Sequence, residues 1–387
     1  MLQWLEGDQT HSAKWQSENG IAPHQKIQIV DDTLTADTAY RLACEGNALL
    51  YRGDFQNARQ LLQALVRRVD KPSKKSKRAD KVEKGKTHTP LDVFNLHRLA
   101  QSQRARILGM LIIQINADHS ISLRRAPNVV QACIEAYGEQ SESYVLSLRE
   151  LLGVISAHEW RKKGVQVLTR DDEEIRIHPH YGVFSPVRGE YIELLLKAPF
   201  PELLNKNSIA FDIGTGTGVL SVVLAARGVK KIIATDLDDR AITCAQDNIH
   251  LLGLDADVQV LKTHLFPEEK AALIVCNPPW LPARPSSSLE RAVYDPDSQM
   301  LKGFLMGLKA HLLPMGEGWL ILSDLAEHLG LRTREELLSW IDQAGLEVCG
   351  RLDTKPVHQK VFDKTDALHA ARSKELTSLW RLRVKSA

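Results

Sequence analysis

The sequence predicts a doubly wound α/β domain in its C-terminal half, preceded by an N-terminal region that is mainly helical and of the α+β class. Three observations carry this. From Ser208 onward short apolar runs alternate with amphipathic segments; a glycine-rich turn, Gly214-Thr-Gly-Thr-Gly218, lies where the first run becomes a helix; and residues 36 to 69 place apolar side chains at helical spacing.

At 387 residues the chain exceeds one typical domain. Hydrophobic residues make up 43% and charged residues 25%, the ordinary range of soluble globular proteins, which argues against a disordered or membrane class. No run approaches the ~18 to 20 apolar residues that cross a bilayer, and the polar opening MLQWLEGDQTHSAKWQ has no basic region followed by an apolar core. A cytoplasmic protein without membrane contact is expected. The five cysteines, Cys44, Cys133, Cys244, Cys276 and Cys349, are odd in number, widely spaced and never arranged as Cys-x-x-Cys. Neither a disulfide framework nor a zinc site follows from that pattern. His178-Pro179-His180 lacks a third ligand at metal spacing, so no metal is expected.

Taken in order, Leu42, Leu49, Leu50, Phe55, Ala58, Leu61, Leu62, Leu65 and Val66 predict one or two amphipathic helices broken near Gly53. Asp70 to His88 carries eight Lys and Arg residues with almost no apolar ones, which predicts an exposed loop; a nucleic-acid contact is the alternative. Residues 90 to 163 resume helical spacing (Val93, Leu96, Leu99, then Tyr144, Leu148, Leu151). Within them the strand-like Met110 to Ile115 faces Ile121 and Leu123 across the turn Asn116-Ala117-Asp118. Val165 to Thr169 and Glu174 to His178 alternate around Arg170-Asp171-Asp172 as a hairpin does, so the domain boundary is placed at residues 163 and 164. Beyond it come strands at Ile209, Lys231, Val258, Leu273 and Trp319, with helices from Val219, Asp239, Ser298 and Arg334. Such alternation implies a parallel sheet covered on both faces. Leu346 to Leu352 and Leu379 to Val384 read as two final strands around a polar insertion.

Gly214, Gly216 and Gly218 follow a buried strand and open a helix, so backbone without Cβ atoms can approach a ligand at a helix N-terminus. Gly-x-Gly-x-Gly is not the Gly-x-Gly-x-x-Gly dinucleotide spacing, which disfavours a nicotinamide oxidoreductase. Asp236 ends the next strand eighteen residues after Gly218, where a carboxylate can accept hydrogen bonds from ribose hydroxyls. With these residues the chain resembles class I S-adenosylmethionine-dependent methyltransferases over about residues 180 to 350, Asp212 matching the acidic residue that opens their first motif. The resemblance implies a Rossmann-like domain whose sheet ends in an antiparallel pair. It also implies S-adenosylmethionine as cofactor, with the glycine loop behind its methionine portion and Asp236 on its ribose. Tyr181-Gly182-Val183-Phe184-Ser185-Pro186 is similar to the Gly-Val-Phe segment of the small methyltransferases, which makes Phe184 a candidate to cover the cofactor, with plain core as the alternative. His264-Leu265-Phe266 stands where related glutamine methyltransferases carry Asp-Leu-Phe, so a histidine would meet the adenine amino group.

Asn277-Pro278-Pro279-Trp280 follows an apolar strand about sixty residues after the glycine loop. An amide or base amino nitrogen is a poor nucleophile because its lone pair is delocalised. Transfer requires acceptors on its N–H bonds and alignment with the methyl donor. Asn277 Oδ1 and the Pro278 carbonyl are the candidate acceptors, Pro278 and Pro279 stiffen the turn, and Trp280 offers a face for a planar group. The tetrapeptide resembles the Asn/Asp-Pro-Pro-aromatic motif of amino-nitrogen methyltransferases, which modify adenine N6, guanine N2 or the glutamine amide. Tyr294-Asp295-Pro296 and Leu301-Lys302-Gly303 resemble the segment that follows it in the release-factor glutamine methyltransferases. The expectation is an N-methyltransferase with a macromolecular acceptor, either a protein such as a translation factor or RNA or DNA. A non-catalytic module that keeps the cofactor fold is the alternative.

Overall fold

The computed structural model describes residues 1–71, 88–170, 173–187, 189–205, 207–285, 289–357 and 361–386. Nearly all of the Lys-rich stretch 70–88 lies outside these residues. The described chain forms two compact units, Met1–Glu159 and Trp160–Ala387.

The first unit is organised by a sheet. Strands β1 (Leu2–Glu6) and β2 (Gln9–Trp15) form a hairpin with Leu2 and Trp4 buried. They are followed by β3 (Ile27–Val30), α1 (Ala36–Cys44), β4 (Ala48–Tyr51), α2 (Phe55–Val69), α3 (Pro90–Leu108), β5 (Leu111–Ile115), α4 (Val130–Tyr137), β6 (Tyr144–Ser147) and α5 (Leu148–Lys163). The sheet order is β1-β2-β6-β5-β4-β3, with β3, β4 and β5 parallel. Leu49 and Leu50 therefore belong to a strand between two helices, a correction to the helical reading. All four β4 residues are buried, and a strand buried on both faces carries no alternation. Ile113 pairs with Leu146 of β6, so the expected hairpin toward Ile121 does not form, and Tyr144 begins a strand rather than a helix.

The second unit opens with the expected hairpin, β7 (Val165–Arg170) against β8 (Glu173–Ile177). It continues through α6 (Glu190–Lys197), β9 (Ala210–Ile213), α7 (Val219–Ala226), β10 (Ile232–Asp236), α8 (Asp239–Leu251), β11 (Val258–Lys262) and β12 (Ala271–Cys276). Then come α9 (Gln299–His311), β13 (Leu312–Ser323), α10 (Leu325–His328), α11 (Arg334–Gln343), β14 (Leu346–Thr354), α12 (His369–Arg372) and β15 (Thr377–Val384). The seven strands run β11-β10-β9-β12-β13-β15-β14, the first five parallel, with β15 inserted antiparallel between β13 and β14. This is a mixed α/β, Rossmann-like arrangement with a mostly parallel sheet. Arg381 on β15 grips the buried Glu317 of β13 with two nitrogens at 2.8 and 2.6 Å, a bidentate pair that fixes the antiparallel register.

Apolar side chains fill both faces of this sheet. Val222, Leu224, Leu273, Val275 and Trp319 lie in one core, and Phe211, Ile274, Phe304, Leu305 and Leu320 in the other. Every residue of β12 is buried, and each large aliphatic so placed contributes about 1.5–3 kcal/mol, so the strand that delivers Asn277 is firmly seated. Among the described residues no helix is long and apolar enough to cross a membrane.

Candidate active site

Strand register brings the motifs together. Ile213 of β9 lies level with Thr235 of β10 on one side and with Cys276 of β12 on the other. Gly214, Asp236 and Asn277 are the next residues of their strands, so all three leave the sheet at its carboxyl edge, where open α/β sheets bind ligands. Cys276 itself is fully buried, and burial pushes its thiol well above the ordinary value, which fits inert core.

The glycine loop needs its glycines for backbone shape. Gly214, Gly216 and Gly218 have φ of +71°, +56° and +82°, a region costly for other residues. A Cβ on Gly214 would fall 2.4 Å from Met300 Cε at the start of α9, and one on Gly218 would touch Ala245 of α8 at 3.4 Å. The loop is thus walled by both helices. Asp236 fixes it further: Oδ2 accepts the Gly216 N–H at 3.0 Å, and Oδ1 accepts the amides of Leu237 and Asp238.

Asp212 lies beneath, fully buried. Its Oδ2 accepts three hydrogen bonds, from Thr215 Oγ1 (2.7 Å), Ser221 Oγ (2.7 Å) and the Ser221 amide (3.0 Å), whereas Oδ1 has no partner among the described residues. Desolvation raises the pKa of Asp212 despite those donors, and the Asp236 charge raises it further. Asp236 is raised as well, chiefly by desolvation. Both carboxylates are thus held against desolvation, one wholly buried and one half-buried at the sheet edge, a setting that favours a nearby positive charge.

Where the sequence resemblance expects the adenine, His264 is exposed and Leu265 is half-buried in a left-handed conformation (φ +61°), with its carbonyl accepting Thr235 Oγ1 at 2.7 Å. Gly303 lets α9 rest on Leu265, since a Cβ there would come within 2.8 Å of Leu265 Cδ1. In the upstream segment Val183 is buried but Phe184 is 40% exposed, so Phe184 is not core and is free to wall a ligand. Sequence reasoning did not separate these two neighbours.

On the acceptor side, Asn277 is half-buried and its Oδ1 accepts the Trp280 indole N–H at 2.9 Å. Indole nitrogen is a donor only, so this bond identifies which end of the amide it meets and leaves the oxygen one lone pair for another donor. Trp280 also packs against both cores of the unit, which makes it structural as well as a candidate platform. Pro278 is buried and Pro279 half-buried beside them. The turn is clasped from the far side: Asp295 N–H donates to the Leu281 carbonyl at 2.8 Å, and Leu281 bridges Tyr294. Asp295 in turn caps α9, accepting the amides of Met300 and Leu301. Asp297 and Ser298 between them both adopt left-handed backbone, at φ 56° and 54°, strain that the surrounding packing must hold. Sequence reading found Asp295 only through its resemblance and missed Arg332, a buried cation in electrostatic reach of it.

His178 and His180 do not converge on a metal: His178 Nδ1 bonds the Arg161 carbonyl and His180 Nε2 pairs with Asp247. Among the described residues no group of three His, Cys, Asp or Glu side chains could hold an ion.

Comparison with known proteins points to the same segment. Residues 196–278 match the family model for PrmA, ribosomal protein L11 methyltransferase. A ribosomal protein L11 methyltransferase of Lactobacillus johnsonii is 29% identical over 140 residues, which is 36% of this chain and 42% of that protein. A protein of Methanocaldococcus jannaschii named for N5-glutamine methyl transfer is 31% identical over 121 residues, 30% of this chain and 57% of its own length. Both matches span less than two thirds of the relative. A crystal structure of a ribosomal protein L11 methylase from Lactobacillus delbrueckii subsp. bulgaricus aligns with 19% identity and a TM-score of 0.39, covering 58% of this chain and 93% of that one. Over residues 196–278 the chain is therefore similar to the PrmA family of ribosomal protein L11 methyltransferases.

Proposed function

We propose that the protein is an S-adenosylmethionine-dependent N-methyltransferase that modifies a planar nitrogen of a protein. The observation that carries this reading is the register match of Ile213, Thr235 and Cys276, which sets Gly214, Asp236 and Asn277 side by side at one edge of the sheet. The residues present fit the cofactor. Its positive charge answers the raised pKa values of Asp212 and Asp236, the spare Oδ1 of Asp212 can accept an ammonium proton, and the glycine loop leaves backbone exposed to close approach. Asp236 would hold the ribose, with Phe184, His264 and Leu265 as candidate walls. When bound, the cofactor supplies a sulfonium methyl group, an electrophile that needs no strong base in the protein.

The chain's own part is positioning. Asn277 Oδ1 and the Pro278 carbonyl accept the N–H bonds of the incoming nitrogen, which turns its lone pair toward the methyl carbon and stabilises the positive charge that grows on nitrogen. With the cofactor bound, its sulfonium would supply the methyl group and keep the C–S electron pair, and the surplus proton would leave the acceptor nitrogen for water. A protein acceptor is supported by the names of both relatives, and by Tyr294-Asp295-Pro296 lying directly against the Asn277 turn. The test is to incubate the protein with radiolabelled S-adenosylmethionine and cell extract. Label should be removed by protease and survive ribonuclease and deoxyribonuclease; nuclease-sensitive label would overturn the protein assignment.

A further inference from the structure

Arg332 lies in the turn between α10 and α11 with 3% of its surface exposed, and among the described residues neither its Nε nor its Nη2 has a hydrogen-bond partner. Glu327, Asp295 and Glu336 are within electrostatic reach, yet each is engaged elsewhere. Glu327 pairs with Arg334 at 2.8 Å, Asp295 caps α9, and Glu336 accepts the Thr333 amide at 2.7 Å. Burial pulls the guanidinium pKa down. A buried cation short of hydrogen bonds weakens a fold, so its presence calls for an explanation outside the folded chain.

Chemistry and place both suggest one. Nε and Nη2 form a single edge of the guanidinium, spaced for the two oxygens of a carboxylate. Asp295, which Arg332 senses electrostatically, is hydrogen-bonded to the Leu281 carbonyl, one residue beyond Trp280. Three surrounding carboxylates would repel a phosphate dianion more than a singly charged planar group.

We infer that Arg332 binds a carboxylate carried by the methyl acceptor, an Asp or Glu side chain near the modified residue. This rests on reading the site as a protein methyltransferase. The cofactor also carries a carboxylate, and the experiment separates the two sources.

Thermal melting of the full chain is compared in about 0.2 M sodium acetate and in sodium chloride of equal ionic strength. Acetate should raise the midpoint by about 2–4 °C. Arg332→Met should abolish that response while melting in chloride at or above the wild-type temperature, because a long apolar side chain removes a buried charge that is short of hydrogen bonds. Arg332→Gln serves as the second variant, with the same loss of response. Acceptor recovered from the labelling experiment should then show a KM about tenfold higher with Arg332→Met and a nearly unchanged kcat. No acetate response in the wild type, an equal response in both variants, or an unchanged acceptor KM would overturn the inference. A larger shift with sodium phosphate than with acetate would overturn the carboxylate assignment. Weakened S-adenosylmethionine binding by Arg332→Met in calorimetry would assign the carboxylate to the cofactor instead. Failure of the wild type to bind S-adenosylmethionine, with the acetate response intact, would sink the methyltransferase reading and with it the acceptor as source.

Discussion

Asp236 receives three backbone N–H groups, whereas Asn277 receives a single side-chain N–H from Trp280 within its own turn. The proposed cofactor half of the site is thus held by main chain, by glycines at positive φ and by the buried hydrogen bonds of Asp212. The proposed acceptor half is held by the Trp280 side chain, by one backbone clasp from Asp295 to Leu281 and by two strained residues, Asp297 and Ser298. The difference teaches how one fold can keep a constant donor and vary its acceptor. Backbone contacts tolerate sequence change without moving, while a turn stabilised by its own side chains can be remodelled by a few substitutions.

That contrast makes graded predictions. Asn277→Ala should cut turnover by about 10²- to 10³-fold, the usual loss on removing one group that stabilises developing charge, while cofactor affinity in calorimetry stays within about twofold. Retained turnover would erase the division. Asp236→Ala should weaken S-adenosylmethionine binding by about 10- to 100-fold, as expected when hydrogen bonds to a charged group are lost, and unchanged affinity would remove the ribose assignment. Gly218→Ala, at φ +82° and against Ala245, should cost about 1–2 kcal/mol in denaturant unfolding; an unaffected midpoint would mean the loop is not held as described.

The smallest effect concerns pH. The carboxyl of Asp212 titrates above the ordinary carboxylate value in the folded protein because it is desolvated. Its contribution to stability is therefore full below the unfolded value and is lost as pH rises through the folded one. Asp212→Asn keeps an oxygen for Thr215 and Ser221 but never ionises. It should gain stability relative to wild type as pH rises from 4 to 8 in melting experiments. Parallel curves would mean that the buried carboxyl does not titrate in that range.

The two units also differ in how much their sequence disclosed. In the second, apolar runs such as Ala271–Cys276, separated by glycine turns and amphipathic helices, betray strands because both faces of a parallel sheet are buried. In the first, β4 is a four-residue strand whose Leu49 and Leu50 continue the helical spacing of α1 and α2, so periodicity could not separate it. The β1 and β2 hairpin shows in the sequence only as the alternation of Leu2 and Trp4 before Gly7, because β2, exposed or half-buried at all but one position, carries little apolar pattern of its own. At the site, strand ends and glycines were readable because they are local. The Trp280 to Asn277 bond, the Asp295 clasp and the solitary Arg332 were not, because each depends on which elements the fold brings together.

The insertion of β15 between β13 and β14 has a consequence for synthesis. β14 touches the sheet only through a strand made after it, so for more than twenty residues of translation β13 has an open flank and β14 has nothing to pair with. An open flank is a template for foreign strands, and the nascent chain remains vulnerable there until Thr377–Val384 leaves the ribosome and closes the seam.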